Sequence, residues 1–270
     1  MKQPGMTRSS FSGDWIAIPR PLRSPRVRLL CFPHSGGNAT AFYTWPRNLP
    51  GDVEVCALQL PGRGCRLYET PPTSIDQVIE PLWEAFQPFR ETPVAFFGHS
   101  LGALVAFEFA RRFQSKNTPL VHMFVSGVSA PQLPRREAPI HNLPDREFIS
   151  HVRNRYDGLP EEILRDEELM AIFLPGLRAD FTIYETYRYV DAPLLECPIT
   201  AFGGHQDCCV TVEELAAWRD RTCSAFSSRM FPGGHFFVDS ARDSVLKFVS
   251  ADLERSLRGN SSETSGKVVT

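Results

Sequence analysis

What the sequence lacks narrows the partners that the protein can have. None of its apolar runs approaches the roughly 20 residues of a membrane-spanning helix, and residues 1–13 lack the apolar centre of a secretory signal. A large excess of one charge is also missing: 29 Lys and Arg nearly balance 31 Asp and Glu, for a net charge of −2. Such a balance gives no electrostatic reason to bind nucleic acid or an anionic membrane. We therefore expect a cytoplasmic protein that binds neither.

Cysteine pairs at the spacing of a metal or redox motif are absent as well. The seven cysteines are an odd number and include no Cys-x-x-Cys pair. Several fall in apolar runs typical of strands, where cysteine behaves as a small buried hydrophobe. Cys208 and Cys209 are adjacent, but no further ligand stands near them at the spacing of a zinc site. We expect free thiols in a reducing compartment and no bound metal.

One stretch carries most of the chemical information. An apolar run at residues 94–97 leads into Gly98-His-Ser100-Leu-Gly102, and residues 101–113 then lack Pro and any further Gly. The pattern predicts a buried strand, a sharp bend at the serine and a buried helix. A chance match in a loop is the alternative, and the strand and helix on either side argue against it.

The bend explains why these residue types stand there. A side chain at Gly98 or Gly102 would collide with neighbouring backbone, and the turn lifts the Ser100 hydroxyl above the sheet. The backbone N–H of Leu101 is then free to face a developing oxyanion. A second donor is expected from the glycine-rich turn after the first confident strand, from the N–H of Ser35 or of Gly36.

Predicted strands and helices alternate along the chain. With 270 residues, 42% of them apolar, the chain is long enough for one large domain or two small ones. The alternation predicts an α/β protein with a mostly parallel central sheet flanked by helices, whose sites gather beyond the carboxyl ends of the strands. The predicted strands are 27–32, 53–60, 94–97, 120–125, 199–202 and 229–231, and the predicted helices are 75–89, 101–113, 212–218 and 243–257.

Three segments depart from this alternation. Residues 1–26 are rich in Pro, Arg and Ser and are predicted to form an N-terminal arm on the main domain, which spans 27–257. Residues 258–270 are polar and predicted to be a disordered tail. Residues 131–190 contain helical stretches but no good strand, which favours a helical lid over the site. A structural subdomain without a gating role is the alternative for this last segment.

The chain supplies a nucleophile, an acid and a base in the order Ser100, Asp207, His235. A serine hydroxyl needs a base to take its proton and a third group to orient that base. Asp207 and His235 each follow a predicted strand in a glycine-preceded loop. The competing groups are less well placed along the chain; they are His34, His99, His122, His141, His151 and His205 for the base, and Asp180 and Asp239 for the acid.

Six blocks of the sequence together resemble the type II thioesterases. They are residues 32–37 (FPHSGG), 59–64 (QLPGRG), 98–102 (GHSLG), 177–181 (LRADF), 203–207 (GGHQD) and 233–236 (GGHF). These proteins are stand-alone thioesterases with the α/β-hydrolase fold, associated with polyketide and nonribosomal peptide synthases. The family more often has Ala at the position of Ser35, but a backbone donor does not depend on that side chain.

The resemblance implies a substrate class and a set of partners. It implies hydrolysis of acyl thioesters on the phosphopantetheine arm of an acyl or peptidyl carrier protein, through an acyl-Ser100 intermediate, to edit stalled or misprimed synthases. Product release, a general carboxylesterase or lipase, and a non-enzymatic carrier-binding scaffold are the alternatives. We expect no cofactor and, from the short connections, a monomer. The apolar side chains of the lid that would line an acyl chamber are Phe173, Leu174, Phe181 and Tyr184, unless they are plain core.

Overall fold

Among the residues that the structure describes, eight strands form one sheet, in the order β1-β2-β4-β3-β5-β6-β7-β8. The computed structural model describes residues 10–12, 15–156 and 165–264. From β4 to β8 in sheet order, all neighbouring strands are parallel, whereas β1 and β2 are antiparallel to their neighbours. The strands are β1 (Ser10–Ser12), β2 (Ile16–Ile18), β3 (Val27–Phe32), β4 (Val53–Leu58), β5 (Val94–His99), β6 (His122–Ser126), β7 (Ile199–Gly204) and β8 (Phe226–Phe231).

Helices lie between successive parallel strands from β4 onwards and again after β8. Their bounds are α1 (Asp76–Phe86), α2 (Leu101–Ser115), α3 (Asp145–Tyr156), α4 (Glu167–Thr186), α5 (Val212–Ala216), α6 (Phe237–Ser240) and α7 (Arg242–Thr264). The predicted α/β architecture, a mostly parallel sheet flanked by helices, is confirmed. Within the described ranges, none of these helices is both long and apolar enough to cross a membrane.

The alternation of side chains along the strands divides the core into two layers. In β5, Phe96 belongs to a cluster that includes α1 and α2, while Phe97 belongs to a cluster that includes Trp45 and α7. Successive strand residues point to opposite faces of a sheet. Both faces are therefore covered, which explains why the β5 side chains are almost continuously apolar. All seven cysteines are free thiols, as expected.

The ends of the chain differ from the sequence-based prediction. Two short strands lie within residues 1–26, and Ile16 is fully buried in the sheet, so this part of the predicted arm belongs to the domain. At the other end α7 continues to Thr264 instead of stopping at 257. Residues 1–9 and 13–14 of the predicted arm, 157–164 of the predicted lid and 265–270 of the predicted tail lie outside the described residues.

The segment predicted as a lid contains α3 and α4 and, among its described residues, no strand. It has an apolar cluster of its own. The members are Ile140, Phe148, Val152, Leu177 and Phe181, with Leu174 and Phe173 packed against them. The two helices are therefore held together by a small core separate from the two layers of the sheet.

His122, in β6, is expected to make the fold sensitive to acid. Its ring is hydrogen-bonded to Thr200 and Ser256, and burial lowers its pKa to about 4, against the opposing charge of Asp252. Because an unfolded histidine titrates near 6.5, unfolding takes up a proton between these two values. The free energy of unfolding should then fall as the pH falls from about 6.5 to 4, by on the order of 3 kcal/mol from this residue. Urea unfolding across this range should give a shallower pH slope for His122→Gln than for the wild type, and equal slopes would contradict the assignment.

Candidate active site

The bend predicted at Ser100 is present between β5 and α2. Ser100 has φ 54° and ψ −123°, a conformation that costs a non-glycine residue about 1–3 kcal/mol. Its backbone N–H donates to the carbonyl oxygen of Ser126 on the neighbouring strand at 2.7 Å. The hydrogen bond and the surrounding packing hold the strained residue at the carboxyl end of the sheet, where parallel α/β proteins place their sites.

Two glycines permit this bend because other backbone groups occupy the space that a side chain would need. A Cβ on Gly98 would lie 2.4 Å from the backbone of Gly102 and of Ala103. A Cβ on Gly102 would lie 2.1 Å from the carbonyl oxygen of Phe32 and 2.5 Å from that of Pro33. The sequence-based explanation of both glycines is therefore confirmed.

Gly102→Ala should be strongly destabilising, although helix propensity alone predicts the reverse. Alanine in a helix is favoured over glycine by about 1 kcal/mol. Here, however, the new methyl group would push α2 away from the end of β3, and such overpacking should cost at least about 3 kcal/mol. Gly51→Ala is a matched control, because a Cβ on Gly51 meets nothing within 4 Å. Thermal unfolding of the two variants should separate them, and equal melting temperatures would contradict this account of the bend.

Asp207 and His235 follow β7 and β8, and their side chains are hydrogen-bonded. His235 Nδ1 lies 2.9 Å from Asp207 Oδ2, and both side chains are buried. The other oxygen of Asp207 accepts the backbone N–H of Cys209 at 2.8 Å. The carboxylate is thus fixed from two sides and orients the imidazole ring. The two acids considered as alternatives are bonded elsewhere, since Asp239 pairs with Arg242 and Asp180 with Arg63.

Ser100 and His235 line the same cavity. Its volume is about 410 Å³, and Ser35 is also in its wall. The cavity is roofed by the predicted lid, with Phe173, Phe181 and Tyr184 among the lining side chains. Leu174, predicted with them, packs instead against the separate cluster of α3 and α4.

Two further histidines near His235 are kept neutral by their surroundings. Burial lowers the pKa of His34 to about 4. Burial, together with the neighbouring rings of His235 and His34, also lowers the pKa of His99 well below its ordinary value. His99 Nδ1 is bonded to Ser126 Oγ at 2.9 Å, on the residue whose carbonyl oxygen accepts the Ser100 N–H. Neither ring therefore adds positive charge beside His235 near neutral pH.

Of the two candidate backbone donors in the loop after β3, one is bonded to another residue. The N–H of Gly36, which the sequence left open as the alternative oxyanion donor to Ser35, donates to Asp180 Oδ2 at 2.7 Å. The N–H of Ser35 has no hydrogen bond to another described residue. Leu101 is the first residue of α2, and the first N–H groups of a helix have no partner within it. The Gly36 alternative is thus engaged elsewhere, and the role of the Ser35 and Leu101 amides as oxyanion donors stays a prediction.

Two further residues lie beside His235 without having been predicted there. The ring of Tyr156, from α3, lies 5.1 Å from that of His235 between centroids and lines the cavity; no motif marks it. The sulfur of Cys209 lies within 4.8 Å of a carboxylate oxygen of Asp207 and of a ring nitrogen of His235. Burial and the charge of Asp207 raise the pKa of the Cys209 thiol. It therefore stays protonated and is a poor nucleophile at neutral pH.

Comparisons with known proteins agree on one family. The sequence model of the thioesterase domain matches residues 27–253. The chain is 44% identical over 249 residues to the gramicidin S biosynthesis protein GrsT of Aneurinibacillus migulanus, covering 92% of this chain and 97% of that protein. Among solved structures, the type II thioesterase BorB from the borrelidin biosynthetic cluster superimposes with a TM-score of 0.83 at 38% identity, over 90% of this chain and 99% of that one. The RedJ thioesterase from the prodiginine pathway of Streptomyces coelicolor has a TM-score of 0.78 at 36% identity, over 87% and 91% of the two chains.

Proposed function

Because the chain belongs to the thioesterase domain family, and within it to the type II thioesterases of α/β-hydrolase fold, we propose that it removes acyl groups from carrier proteins. The substrate would be an acyl thioester on the phosphopantetheine arm of an acyl or peptidyl carrier protein. The observation that carries the proposal is the His235–Asp207 hydrogen bond of 2.9 Å beside a cavity that Ser100 also lines. The relatives GrsT and BorB are named for gramicidin S and borrelidin biosynthesis, and they support nonribosomal peptide or polyketide synthases as partners.

In the first half of the reaction, Ser100 would attack the thioester carbonyl. His235 Nε2 takes the hydroxyl proton, while Asp207 holds the Nδ1–H and stabilises the imidazolium that forms. The tetrahedral intermediate then collapses by breaking its carbon–sulfur bond, and His235 returns the proton to the departing sulfur. A thiol with a pKa of about 8.5 leaves more easily than an amine. The free carrier thiol and an acyl ester of Ser100 result.

In the second half, a water molecule would replace the carrier. His235 takes a proton from this water as it attacks the acyl ester, and the proton passes to the Ser100 oxygen when the ester bond breaks. In both halves the negative oxygen would face the N–H groups of Leu101 and Ser35. These side chains and amides suffice for every step, so we propose that no cofactor takes part.

The size of the cavity supports editing over release of a finished product. Its volume of about 410 Å³ is near the lower end of the range of small-molecule sites, about 300–1,000 Å³. A cavity of this size with aromatic walls suits short acyl groups, such as those that stall a synthase, better than a complete peptide or polyketide. We propose that the lid helices α3 and α4 limit the acyl group in this way.

A monomer in the cytoplasm remains our prediction, to be tested by sedimentation and by fractionation.

The proposal is tested with carrier proteins loaded with acyl groups of increasing length. Acyl loss would be followed by intact mass, with a simple oxygen ester of the same acyl group as comparator. Rapid loss from carriers, declining as the chain grows, supports an editing thioesterase. A preference for the longest chains would move the assignment to product release. Fast oxygen-ester hydrolysis beside untouched carriers would make the protein a general esterase, and carrier binding without turnover of either would leave a scaffold.

A further inference from the structure

We infer that Asp180 and Arg63 are positioning residues that hold the oxyanion loop in place from the lid helix α4. The loop is residues 34–37, which follow β3 and carry the Ser35 amide. The inference rests on the proposed function and adds two residues to it. Neither residue touches the cavity's reacting atoms in the proposed mechanism, so both act through the loop.

The carboxylate of Asp180 binds the loop directly. Its Oδ2 accepts the N–H of Gly36 at 2.7 Å, and Gly36 has φ +76°, where most side chains are strained. A Cβ on Gly36 would also lie 2.7 Å from the ring of Phe173. The peptide group between Ser35 and Gly36 is thus fixed by two residues of α4, through a charge-assisted hydrogen bond to Asp180 and through the close approach of Phe173.

Arg63 completes the connection between the loop and α4. Its two terminal nitrogens bind Asp180 at 2.5 and 2.7 Å. They also donate to the carbonyl oxygens of Gly37 in the loop, at 3.2 Å, and of Gly176 in α4, at 3.3 Å. Asp180 is fully buried and Arg63 nearly so. Removing one partner of such a pair leaves the other charge uncompensated, so both residues are needed for the arrangement.

The connection matters for catalysis because the loop is not part of the sheet. Strand β3 ends at Phe32, and beyond it the position of Ser35 depends on the turn from His34 to Gly37 and on the contacts with Asp180 and Arg63. An oxyanion donor works only if its N–H is aimed at the place where charge develops. A loop released from α4 would bind substrate as before but stabilise the transition state less. The pair also anchors α4 at Gly176, so this part of the predicted lid stays at the site while the pair is intact.

The test compares two buried carboxylates of the same kind. The carboxylate of Asp180 accepts hydrogen bonds from a backbone N–H and from an arginine beside the site. The carboxylate of Glu54 does the same away from the site, accepting the backbone N–H of Leu22 and the Nε–H of Arg28, both at 2.7 Å. Asp180→Asn keeps the volume of the side chain, but its amide NH2 would meet the Gly36 N–H or the Arg63 guanidinium, each of which is itself a donor. We expect kcat for carrier thioesters to fall about 10- to 100-fold, with KM within about threefold. Glu54→Gln should lower the melting temperature similarly and leave kcat within about twofold.

A transition-state analogue separates positioning from stability. An alkyl trifluoromethyl ketone forms a hemiketal oxyanion on a reactive serine, so its inhibition constant should rise in Asp180→Asn in proportion to the loss of kcat/KM. The double variant Arg63→Met/Asp180→Leu replaces both charges with apolar side chains of similar length and branching and is expected to fold; its kcat should fall about 100-fold or more. The inference would be overturned if the folded Asp180→Asn variant had the kcat of the wild type. It would also be overturned if that variant had a lowered melting temperature but an unchanged inhibition constant for the ketone. Should the wild type hydrolyse only oxygen esters, the same ratios on that substrate would still test the loop, separately from the proposed function.

Discussion

Ser100→Ala is expected to lower kcat for carrier thioesters by about 10⁴-fold or more, to the level that the oxyanion donors alone support. The alanine removes the attacking oxygen and changes nothing else in the walls of the cavity. Binding of the acyl carrier should therefore stay within about threefold of the wild type. The measurement is single-turnover acyl loss followed by intact mass, together with binding of the loaded carrier to each variant.

The stability of two variants at this position checks that the loss is chemical. Alanine at φ 54° is strained much like serine, so Ser100→Ala should melt close to the wild type. Glycine accepts this conformation, and Ser100→Gly should be equally inactive but more stable, by about 1 kcal/mol. Thioesterase activity that survives in folded Ser100→Ala would contradict the assignment of the nucleophile.

Asp207→Asn is expected to lower kcat by about 10³- to 10⁴-fold with little change in structure. The asparagine amide can donate to His235 Nδ1, which would place the imidazole proton on Nε2. A histidine in that tautomer cannot take the proton of Ser100. The loss should appear in kcat and not in KM, because the acid does not touch the substrate.

Asp239→Asn is the matched control for the acid. Asp239 is the alternative that the sequence offered close to His235; its side chain is half-exposed and pairs with the partly buried Arg242. Exposed pairs contribute little, so this variant should keep kcat within about twofold and lose at most about 1 kcal/mol of stability. Equal losses of activity in the two variants, measured side by side on one acyl carrier, would show that Asp207 has no special role.

The parts of the site formed by local sequence were predictable. Gly98 and Gly102 flank Ser100 within one turn, and the strand and helix beside them have their own apolar patterns, so neighbouring residues determine the bend. The hydrogen bond between Asp207 and His235 joins residues distant in the chain, yet it was anticipated, because parallel strands deliver their following loops to one edge of the sheet.

What the sequence did not reveal depends on contacts between distant segments. Strands β1 and β2 have three residues each, too few for a period-2 pattern; β2 forms by pairing with β4, and β1 by pairing with β2. The Arg63–Asp180 pair joins residues 117 positions apart. Both lie in blocks that carried the family resemblance, but nothing in either block indicates its partner. Tyr156 and Cys209 reach His235 through the packing of α3 and through the loop after β7, and neither belongs to a pattern that marks a site.

The most direct test of the proposed function is to trap the acyl group on the enzyme. Wild-type protein would be mixed with an activated acyl thioester, so that acylation outruns hydrolysis, and quenched in acid after milliseconds for intact mass and peptide mapping. We predict a mass increase equal to the acyl group, located on the peptide that contains Ser100 and absent from Ser100→Ala. Substrate consumption without an adduct on Ser100, or an adduct on another side chain such as Cys209, would contradict the proposal.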